Sequence, residues 1–538
     1  MQGLMMDYQL TLDAVLRRAE TFFGSKEIVT RLPDRSIHRY TYTDMVRRTR
    51  QLALALADLG VQPGDRVATL AWNHHQHLEA YFGIPIMGAV LHTLNLRLPA
   101  EDLVYIVNHA NDRVLLVDQV LLPLVERIRS NSHIEHVIVI GADGAAPEGM
   151  RSYEQFIEGY DADTFVQSAL DEEQAAAMCY SSGTTGRPKG AVYSHRALVL
   201  HSFASAMADT LGVRERDTVL PVVPMFHVNA WGLPFTSTMV GAKQVMPGPF
   251  LDPASLLELY QQERVTITAG VPTIWLGLLQ MLDKDPTAWD LSSLRVLLVG
   301  GQAAPKSMIQ GFRDRHGLEV VHAWGMTETS PLGSVAVLSS EMDNLSVAEQ
   351  DVFRATQGRP AAFVEIRARG EEGLLPWDGA SMGELEVRGP WVAAHYYNNP
   401  DAEESFTEDG WFRTGDIVTI NSAGYIQIQD RAKDVVKSGG EWISSVALEN
   451  ALMGHPAVAE AAVFAVPDPR WLERPMAVVV LREGASVEPE ALREYLSGEF
   501  PRWWLPDRVE FIEAIPRTST GKFQKSVLRE QYGGASAS

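Results

Sequence analysis

Apolar positions recur along the chain in two rhythms. From Tyr42 to Leu59 alanines and leucines return at the three-to-four-residue spacing of a helix face, and a turn at Pro63-Gly64-Asp65 closes the stretch. Short aliphatic, β-branched runs stand between such helical patterns. Arg66 to Trp72, Arg113 to Val117, His136 to Ile140, Ala175 to Cys179, Val265 to Ala269 and Leu294 to Val299 read as strands. Helices alternating with buried strands predict parallel sheets covered on their faces, so the expected fold class is α/β. The opening MQGLMMDYQLTLDAVLRRAE reads as a helix, because Asp7 and Asp13 interrupt its apolar residues and make it a poor secretion signal.

After about residue 380 the texture changes to shorter β segments, Gly383 to Arg388 and Tyr425 to Gln429, separated by Gly, Asn and Asp turns. Beyond the charged segment DRAKDVVKSGGEW the pattern predicts a helix over Val446 to Leu452, strands over Ala461 to Val466 and Ala477 to Leu481, and a helix over Pro489 to Ser497. That is enough for an independent α+β unit. The division expected is a large N-terminal domain over 1–430, a linker over 431–436 and a small domain over 437–538.

Composition narrows the function classes. The 538 residues are 46% hydrophobic and 21% charged, ordinary for a folded chain with a large core. A net charge of -22 sets the whole field against nucleic acid, although a few cations and backbone amides can still make one anion site. One cysteine, Cys179, excludes an intrachain disulfide and a cysteine cage, and favours a reducing cytoplasm. The most apolar long stretch, Pro221 to Ala242, is broken by Pro224, His227, Asn229 and Pro234 and is a poor bilayer span.

The sharpest local feature is YSSGTTGRPKG, Tyr180 to Gly190. Gly183, Gly186 and Gly190 let the backbone curl, Ser181, Ser182, Thr184 and Thr185 offer hydroxyls, and Lys189 supplies a cation, which together suit a polyphosphate. A flexible surface loop is the plain alternative. The kinase-type P-loop is excluded, since Arg187-Pro188 stands where that motif needs Lys and Ser/Thr directly after its second glycine. Hydrolase and metalloenzyme patterns fail too: there is no GxSxG elbow, and His133-Ile134-Glu135-His136 lacks HExxH spacing, so its histidines read as surface or turn residues.

At this loop the sequence resembles the adenylate-forming superfamily of acyl-CoA synthetases, peptide-synthetase adenylation domains and beetle luciferases. Further motifs follow in family order: GGQAAP (Gly300 to Pro305), WGMTETS (Trp324 to Ser330), GWFRTGDIV (Gly410 to Val418), DRAKD (Asp430 to Asp434) and PRTSTGKFQK (Pro516 to Lys525). The resemblance covers essentially the whole chain. It implies a large domain of β-sheets with helices plus a small β-barrel, and a mobile C-terminal domain. It also implies ATP, Mg2+ and coenzyme A as cofactors, a carboxylic acid as substrate and a homodimer as assembly.

Residue by residue, the resemblance gives Thr184 and Glu328 to the metal and Thr327 to the α-phosphate. It places adenine between Trp324, where many relatives carry tyrosine, and the backbone of Gly301, Gln302 and Ala303, with His322, Ala323, Gly325, Met326 and Ile428 nearby. Asp416 matches the ribose-binding carboxylate, whose two oxygens suit vicinal hydroxyls, and Arg431 also reaches the nucleotide. Lys522 bridges substrate carboxylate and α-phosphate. Lys525, one helical turn on, reads as a solvated bystander.

Lys433 aligns with the hinge about which the small domain rotates between two half-reactions. The turn Lys437-Ser438-Gly439-Gly440-Glu441-Trp442 then lines the pantetheine tunnel. For the acyl group, His227 stands in PMFHVNAWGLPF where amino-acid-activating relatives often carry Asp, which disfavours an α-amino substrate. Val228, Trp231, Gly301, Gly325 and the neighbouring Trp275 suit an alkyl or thioether chain. In related fatty-acid enzymes a tryptophan like Trp231 gates the acyl tunnel and a histidine like His227 borders the CoA entrance. The plain alternative makes both tryptophans core residues. The activity expected is AMP-forming acyl-CoA synthesis with a medium- or long-chain fatty acid. The alternatives are a short thioether acid such as 3-methylmercaptopropionate, delivery to a carrier protein, a luciferase-like oxidase, or a nucleotide-binding protein without catalysis.

Overall fold

The computed structural model describes residues 1, 3–141, 146–181, 187–439, 441–517 and 522–533. The expected helix spans Tyr42–Asp58. Thr41 Oγ1 accepts the Asp44 N–H while the Asp44 carboxylate accepts the Thr41 N–H, a reciprocal cap that starts the helix. Met45, Val46, Thr49, Leu52, Ala53 and Leu56 form its buried face. Gly60, at φ +96°, ends it.

The opening twenty residues behave differently from the sequence expectation. The helix starts only at Leu12 and ends at Phe23. Residues before it are non-helical, tied down where the Leu10 N–H donates to Glu172 (2.9 Å) and the Leu12 N–H to His195 Nδ1 (3.2 Å). Leu4, Met5 and Met6 stay 89–91% exposed. The physical reason is local: these apolar side chains meet no partner face, and a short helix without tertiary packing is marginal in water.

Four sheets carry the chain. A nine-stranded sheet runs in the order Arg359–Pro360, Leu332–Val335, Val320–Gly325, Val296–Val299, Ile267–Gly270, Thr218–Pro221, Lys243–Met246, Glu27–Arg31, Ile37–Thr41. Its six central strands, from Val320–Gly325 to Glu27–Arg31, are parallel, and its edges are antiparallel. A seven-stranded sheet holds Arg66–Leu70 at its centre and ends in the antiparallel pair Ala175–Tyr180 and Gly190–Ser194. Strands from both contribute to one core, which includes Leu91, Cys179, Leu298 and Trp324.

A five-stranded antiparallel sheet, ending in Phe412–Ile420 and Ile426–Arg431, stands where a small barrel was expected. The last sheet pairs Val436–Ser438, Glu441–Ile443, Val458–Asp468, Leu472–Leu481 and Arg508–Phe511, covered by helices Ser445–Gly454, Pro489–Ser497 and Lys525–Gly533. Observed elements lie within a few residues of the expected ones, and the two long C-terminal strands extend further than their apolar runs.

Burial leaves several imidazoles uncharged. It pushes His77 and His201 down to about 3 and His195 and His322 down to about 4. Each stays neutral in the fold while its unfolded counterpart takes up a proton near pH 6.5. Their stability contribution is therefore full above that pH and drains away as pH falls toward the folded values. At pH 5 each imidazole costs roughly 2 kcal/mol. Glu449, pushed up to about 7 by burial, acts in the opposite direction, as do Asp13, Glu79, Glu384 and Asp430, all raised by burial. A thermal melt series is expected to show the midpoint falling steadily from pH 7 to pH 5; a flat profile would mean these rings are not held neutral.

Candidate active site

Parallel strands bring their C-terminal ends to one crevice, the position where open α/β sheets bind ligands. Val296–Val299 leads into Gly300-Gly301-Gln302-Ala303, Val320–Gly325 into Met326-Thr327-Glu328, and Thr218–Pro221 into the segment that carries His227 and Trp231. A cavity of about 1040 Å³ opens there, closed on the far side by the antiparallel sheet and by the C-terminal unit, including Lys522. Gly301, at φ +82°, lies against that lysine. A β-carbon on it would stand 3.9 Å from Lys522 Cε and 3.4 Å from Val271 Cγ1.

Asp416 is 2% exposed and receives two strong donors. Trp324 Nε1 donates to Oδ2 at 2.8 Å, and Arg431 Nε lies 2.8 Å from Oδ1. Arg431 also donates to the Thr414 carbonyl (3.3 Å). The tryptophan at a position where relatives carry tyrosine thus does more than keep an aromatic face. Its ring N–H fixes the carboxylate, and its ring packs over Gly333, where a β-carbon would come within 2.2 Å of Cζ3.

Glu328, 5% exposed, is held from three directions. Tyr396 OH donates to its Oε1 at 2.6 Å, the Ala393 N–H donates to its carbonyl at 2.7 Å, and Tyr193 OH donates to the carbonyl of Thr327 at 2.7 Å. The phosphate loop joins two antiparallel strands. At its base the Ser181 N–H donates to the Lys189 carbonyl (2.9 Å) and the Lys189 N–H to Ser181 Oγ (3.1 Å). Ser182, Gly183, Thr184, Thr185 and Gly186 lie outside the described residues. Lys189 Nζ sits 4.9 Å from the centroid of the Tyr396 ring.

Among the described residues no group of three or more His, Cys, Asp and Glu could hold a metal ion. One buried carboxylate on the cavity wall, Glu328, still fits Mg2+, which keeps several waters and binds through one or two carboxylates plus substrate phosphates.

Lys189, Arg431, Lys433 and Lys522 line this cavity beside carboxylates that include Glu328, Asp416, Asp430 and Glu449. Burial, then the nearby Arg431, push Lys522 down to about 8, against the opposing pull of Asp416 and Glu328. Burial also lowers Lys433. His227 is pushed down to about 3 by burial and by Lys522 and Arg97, so its ring is neutral. His322 donates from Nε2 to the Gln302 carbonyl (3.3 Å), tying two walls together. Ala323, Gly325, Met326, Thr327 and Ile428 line the same cavity.

The acyl-side segment has an unusual backbone. Val228, Asn229, Ala230 and Trp231 all have φ between 45° and 56°, one left-handed turn running into Gly232 at φ 73°. Left-handed helical backbone costs roughly 1–2 kcal/mol per residue. Packing enforces it: Val228, Asn229 and Ala230 are at most 3% exposed, and Gly232 lets the His201 ring come within 2.5 Å of where a β-carbon would stand. The turn presents Val228 and Trp231 to the cavity, with Trp231 against Gly300. Trp275 differs from its expected role. It is fully buried in a separate core cluster, donating from Nε1 to the Leu298 carbonyl (3.1 Å), and is a core pillar.

One further expectation changes. Lys525 is 9% exposed, its Nζ 2.7 Å from Glu449 Oε1 and 2.5 Å from Ser445 Oγ, so it is a buried ion-pair partner and not a solvated bystander. That cluster meets the large lobe where the Ser445 N–H donates to Asp430 Oδ2 (2.8 Å) and Ser444 Oγ to the Gln429 carbonyl. The turn expected to reach the active site after rotation stands away from the cavity in this pose. Lys437, Ser438 and Trp442 lie on a hairpin whose Gly439, at φ +63°, packs on the Trp471 ring, and none of them lines the cavity. Gly440 and the Glu441 side chain lie outside the described residues. Sequence reasoning missed Tyr396, Gln357 and Glu384 on the cavity wall. They fall outside the glycine-rich and charged motifs, and no spacing singles them out.

Known proteins share this arrangement. Residues 16–397 match the AMP-binding enzyme family and residues 447–522 its C-terminal domain. The chain is 53% identical to a long-chain-fatty-acid–CoA ligase of Thermus thermophilus, over 99% of this chain and 98% of the relative. It is 45% identical to a 3-methylmercaptopropionyl-CoA ligase of Ruegeria pomeroyi, over 99% of both. Its fold superimposes on the anthranilate CoA ligase AuaEII in complex with anthranoyl-AMP with a TM-score of 0.89, at 27% identity and full coverage of both chains. With family matches on both parts of the chain and relatives alike along its whole length, this chain belongs to the AMP-binding enzyme family.

Proposed function

We propose that this AMP-forming acid–CoA ligase activates a medium- or long-chain fatty acid. The acid's carboxylate attacks the α-phosphorus of ATP, the bond to pyrophosphate breaks, and an acyl-adenylate remains. The thiolate of CoA then attacks the acyl carbon and AMP leaves with the electron pair of the broken C–O bond. The observation that carries the reading is the Lys522 side chain against Gly301, inside the cavity that also holds Asp416, Trp324 and Glu328. A desolvated ammonium there stabilises the charge that spreads over the pentavalent phosphorus.

In this reading Asp416 accepts the ribose hydroxyls on the lone pairs left by Trp324 and Arg431, and the Trp324 face and the Gly301–Ala303 backbone enclose adenine. Ser181 and Lys189, with Ser182 to Gly186, hold the phosphates. Glu328 and Thr184 hold Mg2+, which when bound offsets phosphate charge and fixes its geometry. Burial of the apolar Val228 and Trp231 walls supports an alkyl chain, and the 53% likeness to a long-chain enzyme supports a fatty acid. The 45% likeness to a 3-methylmercaptopropionyl-CoA ligase keeps a short thioether acid as the second reading.

Residues 1–430 form the large domain and 437–538 a small domain turning about Lys433 in the 431–436 linker. Lys522 in the cavity and the CoA hairpin away from it support an adenylating pose. Rotation withdraws Lys522 and brings Lys437 to Trp442 inward beside His227. With the lysine gone, one cause of the low basicity of His227 is removed as the thiol arrives. No helix among the described residues is long and apolar enough to cross a membrane. The single, buried cysteine suits a cytoplasmic enzyme, and the exposed Leu4, Met5 and Met6 arm suits a homodimer contact.

Three measurements test this reading. With ATP, Mg2+ and CoA, a panel of straight-chain and methylthio acids is expected to give AMP and thioester, with kcat/KM highest from medium chains upward; no turnover with any acid would refute it, and a maximum at 3-methylthiopropionate would select the second reading. Lys522→Ala is expected to slow adenylation by about 100-fold or more while thioester formation from pre-made adenylate stays near wild type. Equal loss in both half-reactions would reject its role. Because Lys522 must be protonated and titrates near 8, kcat/KM for ATP should fall above that pH, by about tenfold per unit. Lys522→Arg should move that limb well above pH 10, and a limb left in place would belong to another group.

A further inference from the structure

We propose that Tyr396 is a positioning residue for both charged ends of the nucleotide site, setting the Glu328 carboxylate with its hydroxyl and the Lys189 ammonium with its ring. The proposal rests on the reading of Glu328 and Lys189 as metal and phosphate ligands.

Both ends of this one side chain are engaged. Its OH donates to Glu328 Oε1 at 2.6 Å, and its ring centroid lies 4.9 Å from Lys189 Nζ. A phenol bonded to a carboxylate makes a short, charge-assisted hydrogen bond. The tyrosine's single O–H occupies Oε1, so Oε2 is the oxygen it leaves for a cation. Donation to an anion also enriches the ring in electrons, which strengthens its attraction for the ammonium on its face.

The ring itself is braced. Phe406 and Phe412 meet it at 64° and 76°, with centroids 5.6 and 6.4 Å away. Its backbone straps the same two elements together. The Ala393 N–H donates to the Glu328 carbonyl (2.7 Å), and the Tyr397 N–H donates to the carbonyl of Gly190 (2.9 Å), the residue directly after Lys189. A tyrosine serving only to fill space could satisfy its hydroxyl on any carbonyl. This one lines the cavity and spends its hydroxyl on the carboxylate of the WGMTETS motif.

Partners that orient a metal ligand typically change metal affinity by about 10–100-fold. The test measures binding and not turnover: titration calorimetry of a non-hydrolysable ATP analogue on the full chain, with and without Mg2+, for wild type, Tyr396→Phe, Tyr396→Leu and Glu328→Gln. Tyr396→Phe keeps the ring and removes the hydroxyl. It is expected to raise the Mg2+ concentration needed for half-maximal enhancement of nucleotide binding about tenfold, with metal-free affinity unchanged. Tyr396→Leu should also weaken metal-free binding several-fold, through Lys189. An unchanged Mg2+ dependence in Tyr396→Phe, with Glu328→Gln altered, would overturn the role of Tyr396. An unchanged dependence in Glu328→Gln would instead refute the metal reading of Glu328. Should the leucine variant fail to fold, the phenylalanine variant alone decides the hydroxyl's part, and an equal loss with and without Mg2+ in it would mark Tyr396 as merely structural.

Discussion

Asp416 is the joint of this molecule. A carboxylate at 2% exposure is costly unless its charge is met, and here an indole N–H from the nine-stranded sheet and a guanidinium from the end of the antiparallel sheet meet it. Trp324 lies 92 positions away in the chain, whereas Arg431 is the cross-strand neighbour of Asp416. Removing either would leave an under-satisfied anion, so the contact fixes the angle at which the antiparallel sheet closes the crevice. It also anchors Arg431, the first residue of the proposed 431–436 linker, to the antiparallel sheet. Each carboxylate oxygen keeps a second lone pair for an incoming hydroxyl.

Charge within the cavity is mixed. Lys189, Arg431, Lys433 and Lys522 share its wall with carboxylates such as Glu328, Asp416, Asp430 and Glu449, so attraction for an anion is local to individual cations and does not reverse the overall -22. Two lysines three residues apart show how local this is. Lys525 finds Glu449 and Ser445, and the Glu449 and Asp430 charges outweigh its burial, raising its pKa. Lys522 faces Arg431 in the cavity and its pKa falls. The same side chain is locked in one place as a structural cation and made readily titratable in the other.

Much of this was legible in the sequence wherever a local rule decided the outcome. The helix after Thr41 has its cap, its apolar face and its terminating glycine within one segment. The cavity walls could be read because Gly301, Trp324, Asp416 and Lys522 sit in motifs whose order along the chain survives in the resemblance. What could not be read depends on partners far away in sequence. The N-terminal apolar residues have helical composition but meet no surface, the hydroxyl of Tyr396 finds Glu328 across 68 positions, and Lys525 finds Glu449 across a sheet. The left-handed turn at Val228 to Trp231 contradicts the local preference of four non-glycine residues, so only the packing around it could announce it.

That turn and the crowded cleft point to the same constraint. A site that must first hold a polyphosphate against a lysine and later admit a long thiol arm cannot be complementary to both in one arrangement. The strained segment carries His227 at its start and Trp231 at its end, one facing the Lys522 side and one the apolar side of the cavity. Small lateral shifts are unavailable to it, because its middle residues are fully packed and Gly232 is filled by the His201 ring. In the proposed reading the large lobe stays rigid around the reacting atoms, and adaptation falls to the lobe joined through Lys433. Among the contacts that join that lobe to the large one are polar ones, Ser444 Oγ to the Gln429 carbonyl and the Ser445 N–H to Asp430. Polar contacts of this kind exchange for water at little net cost when they part, whereas an apolar interface would resist parting in proportion to its buried area.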